Sequence, residues 1–200
     1  NVHNRTIGHY LFHYKDLIPT LGKFIDWTVK DVNGQTPLFA ICRSYDTPNY
    51  SSLIQTVFKV VEDWYTRNGS AFDYADHIDY RGNSLLHILN SSIEHLLRFE
   101  RVNVNESNLK GYTPLMIYVK YNRLENIVRL LKDSEFVDIA KTDRNYFICL
   151  DHSRKPKVSE VIETCYLKQR ITPIKGCSIA IIRVKLEHNS WTLIIRGQIN

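Results

Sequence analysis

Long hydrophobic runs, paired cysteines and a glycine-rich phosphate loop are all missing from this 200-residue chain. No apolar stretch approaches the ~18 residues of a membrane-spanning helix, and the start at Asn1 has neither an initiator methionine nor the apolar core of a signal peptide. The four cysteines form no C-x-x-C pair, which argues against a zinc site or a redox pair and favours reduced, partly buried thiols. We therefore expect a soluble fragment of a longer cytosolic or nuclear protein.

The remaining composition is that of a folded domain with a basic end. The chain is 44% hydrophobic and 24% charged, which excludes a disordered or collagen-like chain. Residues 153–200 carry nine Lys/Arg against three Asp/Glu, whereas the first 152 residues carry 17 against 18. A basic segment favours an acidic partner surface, which is anionic lipid, nucleic acid or an acidic peptide. A solvated basic rim is the alternative.

An internal repeat of the frame D/N-x-x-G-x-T/S-P-L organises most of the chain. Three copies are clear, a degenerate fourth runs from Asp143 to Asp151, and a truncated first copy begins at Thr6. The Thr/Ser position of the frame falls at residues 6, 36, 84 and 113 and, in the degenerate copy, at Ile148, so the steps are 30, 48, 29 and 35 residues. Periods of this size indicate a stacked repeat array. The clear copies are Asp31–Leu38, Asp79–Leu86 and Asn108–Leu115.

Each element of the frame has a physical role. Glycine supplies the positive φ of a tight turn, the Thr hydroxyl caps the next helix, and proline in the first helical turn gives up an N–H that has no partner. The frame resembles the ankyrin repeat family over roughly residues 3 to 170. The resemblance implies an all-α ankyrin solenoid, here of about five irregular repeats, because Leu89, Tyr118 and Tyr146 replace small consensus residues.

Apolar spacing predicts the second helices of two repeats. Leu124, Ile127, Leu130 and Leu131 lie on one helical face, as do apolar residues between 53 and 64. Insertions near 44–52 and 68–77 explain the 48-residue step. We therefore assign residues 1–172 to the repeat array.

After Pro173 the pattern changes to short β-branched runs. Residues 179–186 and 191–196 predict two strands around a polar turn, that is, a short C-terminal β-hairpin. A lone hairpin is marginally stable, so we expect 173–200 to begin a truncated domain. This order of segments resembles the fungal VARP-like proteins, in which a Rab guanine-nucleotide-exchange domain precedes the ankyrin repeats and a phox-homology-like segment follows. The resemblance implies endosomal membranes and a protein partner, such as a sorting-nexin-type subunit.

We predict no enzyme activity, cofactor or metal site. His87 stands where ankyrin repeats place a structural histidine, and Cys149 takes an apolar core position. His9 and His13 share a helical spacing, but no third metal ligand accompanies them. Nucleic-acid binding by the basic end is not expected, since no aromatic stacking platform accompanies it, and membrane contact is assigned to parts outside the fragment.

Recognition of a protein partner is the function that these features favour. In ankyrin proteins the turn tips and the exposed side of the inner helices form a concave binding surface, and Tyr and Arg anchor interfaces most often. The alternative is the ankyrin domain of a fungal nuclear transcription regulator. The predicted partner-binding residues are Asn33, Gln35, Arg43, Tyr80, Arg81, Asn83, Leu109, Lys110, Tyr112, Lys120 and Tyr121.

Overall fold

The computed structural model describes residues 3–99, 101–134, 137–162, 179–185 and 191–197, which are mainly helical. The α-helices are α1 Ile18–Leu21, α2 Pro37–Cys42, α3 Tyr50–Arg67, α4 Leu85–Ile88, α5 Glu94–Leu97, α6 Pro114–Lys120 and α7 Leu124–Asp133, and residues 156–162 are also helical. The 3-10 helices are Ile7–Leu17, Gly22–Phe24, Tyr74–His77 and Cys149–His152. The strands are β1 Ile179–Lys185 and β2 Trp191–Gly197.

The helices pack in two rows. The inner row runs from the 3-10 helix 7–17 through α2, α4 and α6 to the 3-10 helix 149–152, and each member contacts the next. The outer row is α1, α3, α5 and α7, again with contacts between successive members. Contacts between α2 and α3 and between α6 and α7 join the rows. This stack of helix pairs is the arrangement that the repeat frame predicts.

Four turns of one geometry connect the helix pairs. In each turn the fourth residue donates its backbone N–H to the carbonyl of the first residue, over 2.8 to 3.0 Å. The first side chain is Asp or Asn, and its Oδ1 accepts two backbone N–H groups of the same turn. Such bonds satisfy the backbone of a tight turn. The turns begin at Asp31, Asp79, Asn108 and Asp143.

Adjacent turns are hydrogen-bonded to each other in a row. Tyr80 donates its backbone N–H to the carbonyl of Asn33 at 3.0 Å, and Leu109 donates to Arg81 at 2.9 Å. The glycine at the fourth position permits this approach, because φ is +81° at Gly111 and an added Cβ would lie 2.6 Å from the backbone nitrogen of Arg144. The row of turns is therefore a rigid edge of the array.

Hydroxyl caps begin the inner helices as the frame predicts. The Thr113 hydroxyl accepts the backbone N–H of Met116, and the Thr36 hydroxyl accepts that of Phe39, each over 3.3 Å. At Ser84 the cap is shared with His87, whose Nδ1 lies 2.8 Å from the serine hydroxyl. The caps satisfy amide groups that have no partner within the helix.

Two of the bulky substitutions, Leu89 and Tyr118, lie in the core, whereas Tyr146 is 86% exposed. Tyr118 is fully buried, and its hydroxyl donates to the carbonyl of Leu86 at 2.5 Å. Tyr146 takes the glycine position of the last turn with φ of +64°. Apolar residues of both rows form one continuous cluster that contains Leu89 and Tyr118, together with Trp27, Phe39 and Phe58.

The predicted insertions differ in detail from the structure. Helix α3 begins at Tyr50, inside the stretch 44–52, because Tyr50, Leu53, Ile54 and further residues at helical spacing are buried. The second insertion contributes to the core rather than looping out. His77 is fully buried, with Nδ1 2.7 Å from the Thr36 hydroxyl.

The two C-terminal strands pair antiparallel, with Ile179 opposite Gly197 and Lys185 opposite Trp191. The predicted turn between them and the boundary at residue 172 lie outside the described residues, so the hairpin and the start of a second domain stay predictions. Among the described residues, no helix is both long and apolar enough to span a membrane.

Candidate functional site

A groove of about 790 Å³ runs along the inner row of helices; we call it the inner groove. Its walls are the turns that begin at Asp31 and Asp79 and the exposed sides of α2, α4 and α6. The lining residues are Val32, Asn33, Gln35, Phe39, Arg43, Tyr45, Asp79, Tyr80, Arg81, Asn83, His87, Ile88, Ile117, Tyr121 and Arg123.

Two tyrosines that line the groove are exposed and are not part of the hydrophobic core. Tyr80 is 65% exposed and Tyr121 is 62% exposed. Tyr80 follows the first residue of its turn, where the backbone bonds to Asn33 hold it at the edge of the array. Tyr121 directly follows Lys120, the last residue of α6. A large exposed ring on a fixed backbone is a typical anchor for a protein partner.

Arg123 is held between two aromatic rings. Its guanidinium carbon lies 5.2 Å from the ring centre of Tyr45 and 5.7 Å from that of Tyr121. Its Nη1 donates to the carbonyl of Leu89 at 3.0 Å. The stacking and the hydrogen bond fix one cationic group at the groove.

Tyr45 braces the same wall. Its hydroxyl donates to the carbonyl of Ile88, while its ring stays 37% exposed. Burial of the hydroxyl end raises the pKa of Tyr45, and the positive charge of Arg123 opposes that rise. The tyrosine therefore stays neutral at physiological pH and acts as a fixed apolar surface.

His87 supports the floor of the groove rather than offering a reactive group. Its Nε2 lies 2.9 Å from the carbonyl of Tyr112, and its Nδ1 lies 3.2 Å from the backbone nitrogen of Ser84. Burial lowers the pKa of His87 to about 4. The ring is therefore neutral at pH 7, and its contacts with the backbone of Ser84 and Tyr112 are those of the structural role predicted for it. His9 makes the equivalent contacts, with Nε2 2.8 Å from the carbonyl of Gln35.

A second, smaller pocket holds two of the predicted residues, and we call it the C-terminal pocket. Its lining includes Tyr112, Lys120 and His152. The Lys120 ammonium lies 4.8 Å from the ring centre of Tyr112, and the His152 ring packs edge-on against the same tyrosine at 5.2 Å. These contacts turn Tyr112 towards the last repeat, away from the inner groove.

The structure thus divides the predicted binding residues into three groups. Those that line the inner groove are Asn33, Gln35, Arg43, Tyr80, Arg81, Asn83 and Tyr121. Tyr112 and Lys120 line the C-terminal pocket. Leu109 and Lys110 stand exposed on the third turn.

Tyr45, Phe39, Ile117 and Arg123 line the groove but were not predicted as binding residues. Tyr45 lies in an insertion that has no repeat register. Arg123 follows Asn122, whose φ of +56° reverses the chain after α6. An asparagine after the last helical residue is the one sequence signal that marks this reversal.

The described residues offer little for catalysis. Among them, no group of three or more His, Cys, Asp and Glu residues is placed to hold a metal ion. The thiols of Cys42 and Cys149 are buried and unpaired, and burial raises the pKa of Cys149 to about 12. A thiol in this state is a poor nucleophile. Cys165 and Cys177 lie outside the described residues.

Residues 110–144 match the family model of the ankyrin repeat. The match covers the end of the third turn, α6, α7 and the start of the next turn, and it supports the ankyrin prediction where the repeat frame is clearest. The ankyrin repeat is an interaction fold, so the match also supports protein binding as the general activity.

The chain is also similar to UPF0507 proteins of yeasts. It is 46% identical to the UPF0507 protein YML002W of Saccharomyces cerevisiae over 154 residues, which is 77% of this chain and 21% of that protein. It is 41% identical to a UPF0507 protein of Kluyveromyces lactis over 162 residues, 81% of this chain and 15% of that protein. A UPF0507 protein of Scheffersomyces stipitis is 42% identical over 152 residues, 74% of this chain and 13% of that protein.

The chain therefore spans about a fifth or less of the length of these relatives. They are fungal, as the resemblance implies, but their names state no activity. They give no support to the VARP-like resemblance, the endosomal placement or the sorting-nexin partner.

Proposed function

We propose that this chain is a protein–protein interaction module whose inner groove docks a short segment of a partner protein. The observation that carries the proposal is that two exposed rings, Tyr80 and Tyr121, line the same preformed groove. Turns that are hydrogen-bonded to each other hold the groove in shape before the partner arrives. A preorganised surface loses less conformational entropy on binding than a mobile one.

We infer that the array contains five copies of the repeat. The first copy is supported by His9, which bridges Thr6 and the carbonyl of Gln35 as His87 bridges Ser84 and the carbonyl of Tyr112. The last is supported by the turn at Asp143 and the 3-10 helix that follows it. Five copies exceed the roughly three that a stable array requires.

We further propose that the parent protein acts in trafficking at endosomal membranes, with a sorting-nexin-type subunit as the docked partner. The order of a repeat array followed by a basic strand segment supports this placement. Under this proposal the module is cytoplasmic and reaches the membrane through other parts of the parent protein. Fluorescence microscopy of the tagged parent protein tests it: endosomal puncta support the proposal, whereas nuclear signal favours the transcription-regulator alternative.

Affinity purification of the parent protein tests the docking function. One variant carries Tyr80→Ala with Tyr121→Ala, and a matched control carries Phe24→Ala with Val128→Ala, two exposed apolar residues outside the groove. Exposed substitutions of this kind change stability by only about 0.5 kcal/mol, so the thermal melts of both variants should match the original. We expect mass spectrometry to show a partner that the groove variant loses and the control retains. Equal recovery with all three chains would contradict the proposal.

A further inference from the structure

Positive charge is uncompensated along the inner groove. Arg43, Arg81 and Arg123 line it, and among the described residues that line it Asp79 is the single acidic one. The Asp79 carboxylate is buried, and it accepts the backbone N–H groups of Arg81 and Asn83 and the side-chain amide of Asn83. Within the part of the chain that the structure describes, no carboxylate lies within ion-pair distance of the three guanidinium groups.

Arg123 is held in place by hydrogen bonds to the backbone of the groove wall. Its Nη1 is occupied by the carbonyls of Ile88 and Leu89, at 3.5 and 3.0 Å. A guanidinium also has N–H donors on Nε and on the other terminal nitrogen, and carboxylates are its natural acceptors. Because Tyr45 and Tyr121 already hold the group in place, a carboxylate that binds it need not immobilise a free arginine side chain.

Apolar side chains line the same groove as these charges. Val32 is 50% exposed, and Ile88 and Ile117 also line the groove. Aliphatic surface complements polypeptide side chains, whereas a nucleic-acid backbone offers phosphates and sugars to it. The mixture fits a peptide that alternates acidic with leucine-like or aromatic residues.

The basic C-terminal quarter of this chain is a poor occupant. Residues 153–200 carry nine Lys/Arg and three Asp/Glu, so they are repelled by a groove of the same sign. An acidic segment of another protein, by contrast, matches the sign of the groove.

We propose that the inner groove selects an acidic segment of the partner, whose carboxylates bind Arg43, Arg81 and Arg123 while its apolar side chains cover Tyr80 and Tyr121. This inference rests on the docking function proposed above and specifies the chemistry of the docked segment. Charge complementarity of this kind sets partner choice and association rate.

Selection of short random peptides displayed on phage, with the purified full chain as bait, tests the inference. Peptides recovered on the original chain should hold more Asp and Glu than the unselected library. A variant with Arg43→Glu and Arg81→Glu should lose that acidic excess. The matched control, Lys59→Glu with Arg67→Glu, makes the same change in net charge at exposed positions of α3 that do not line the groove, and it should keep the excess.

Fluorescence anisotropy with a labelled recovered peptide completes the test. We expect the dissociation constant to rise about tenfold or more in the Arg43 and Arg81 variant and less than about twofold in the control. Raising sodium chloride from about 0.05 M to about 0.5 M should weaken binding several-fold, because salt screens exposed charges. Peptides without acidic excess, equal losses in both variants, or a thymidine oligonucleotide that displaces the peptide would overturn the inference.

The design separates this inference from the docking function. Neutral peptides that bind the original chain but not the variant with Tyr80→Ala and Tyr121→Ala would contradict the acidic preference and support the docking function. Peptides that bind the original chain and the variant with Tyr80→Ala and Tyr121→Ala equally well would contradict both the acidic preference and the docking function.

Discussion

Acidification should weaken the folded state through two buried histidines. Burial lowers the pKa of His87 from 6.5 to about 4, and that of His77 to about 3 with a further contribution from Lys30. Between these values and about pH 6.5 the unfolded chain binds a proton that the folded chain does not, so stability falls as pH falls. At about pH 5 the loss is about 2 kcal/mol for each histidine.

The geometry explains why His87 resists protonation. Its Nδ1 accepts the backbone N–H of Ser84, and its Nε2–H donates to the carbonyl of Tyr112. A second ring proton would break the first bond and place a charge in the core. Met116 offers a matched replacement, because it takes the same position in the next repeat and its Sδ lies 3.4 Å from the backbone nitrogen of Thr113.

Urea unfolding of the original chain and of His87→Met, followed by fluorescence at about pH 7 and about pH 5, measures the effect. The variant should be about 1 kcal/mol less stable at neutral pH, because the carbonyl of Tyr112 loses its donor. On acidification the variant should lose about 2 kcal/mol less than the original chain. All other titrating groups are common to both chains, so equal losses would refute the account of His87.

Three further substitutions probe the turns, the core and a thiol. Gly111→Ala should lower the free energy of unfolding by about 3 kcal/mol, because the new Cβ meets the backbone of the next turn. The control Gly69→Ala, also at positive φ but with nothing within 4 Å of the added Cβ, should lower it by about 1 kcal/mol. Similar thermal melts of the two variants would contradict the packing of the turns. Trp27→Phe should cost about 2 to 4 kcal/mol in urea unfolding, because Trp27 is fully buried and its indole N–H donates to Gly22; an unchanged midpoint would contradict that burial. Cys149→Ser should leave the rate of thiol labelling of the folded chain unchanged, because the thiol is buried with a pKa of about 12; loss of a rapidly labelled thiol would show that it is accessible.

Local chemistry made the turns and the helix starts predictable. The residues of the D/N-x-x-G frame form their own hydrogen bonds, so four turns separated by different insertions share one geometry. The helix α3 was also predictable from local sequence, because its apolar spacing is regular from Leu53 to Tyr65. The exact start at Tyr50 was not, since the hydroxyl of Tyr50 donates to the carbonyl of Cys42, a contact between separate elements.

The candidate site was predictable only in part, because its remaining contacts are tertiary. Frame position placed Asn33, Gln35, Asn83 and neighbouring turn residues on one face, and the structure places these three on the inner groove. Tyr112 has the same frame position as Gln35 and Asn83, but it packs against His152 of the last repeat. No local pattern foretells that a side chain will find a partner in the next repeat.

Arg123 and His77 show the same limit. Arg123 lies between α6 and α7, and His77 is the last residue of a short 3-10 helix. Each acquires its role from a residue more than 30 positions away, Leu89 for Arg123 and Thr36 for His77. The repeat frame alone therefore predicts neither the role of Arg123 nor that of His77. The resemblance to a repeat family therefore predicts the frame of the groove better than its charged and aromatic lining.

Site-specific photo-cross-linking in cells tests the docking surface most directly. The parent protein carries benzoylphenylalanine at position 121 on the inner groove or, as control, at position 24, where Phe24 is exposed but does not line the groove. The account predicts a discrete cross-linked protein from position 121 that is absent from position 24 and disappears when Tyr80 is also replaced by Ala. Cross-links of the same protein from both positions, or none from position 121, would contradict the claim that this groove is where the partner binds.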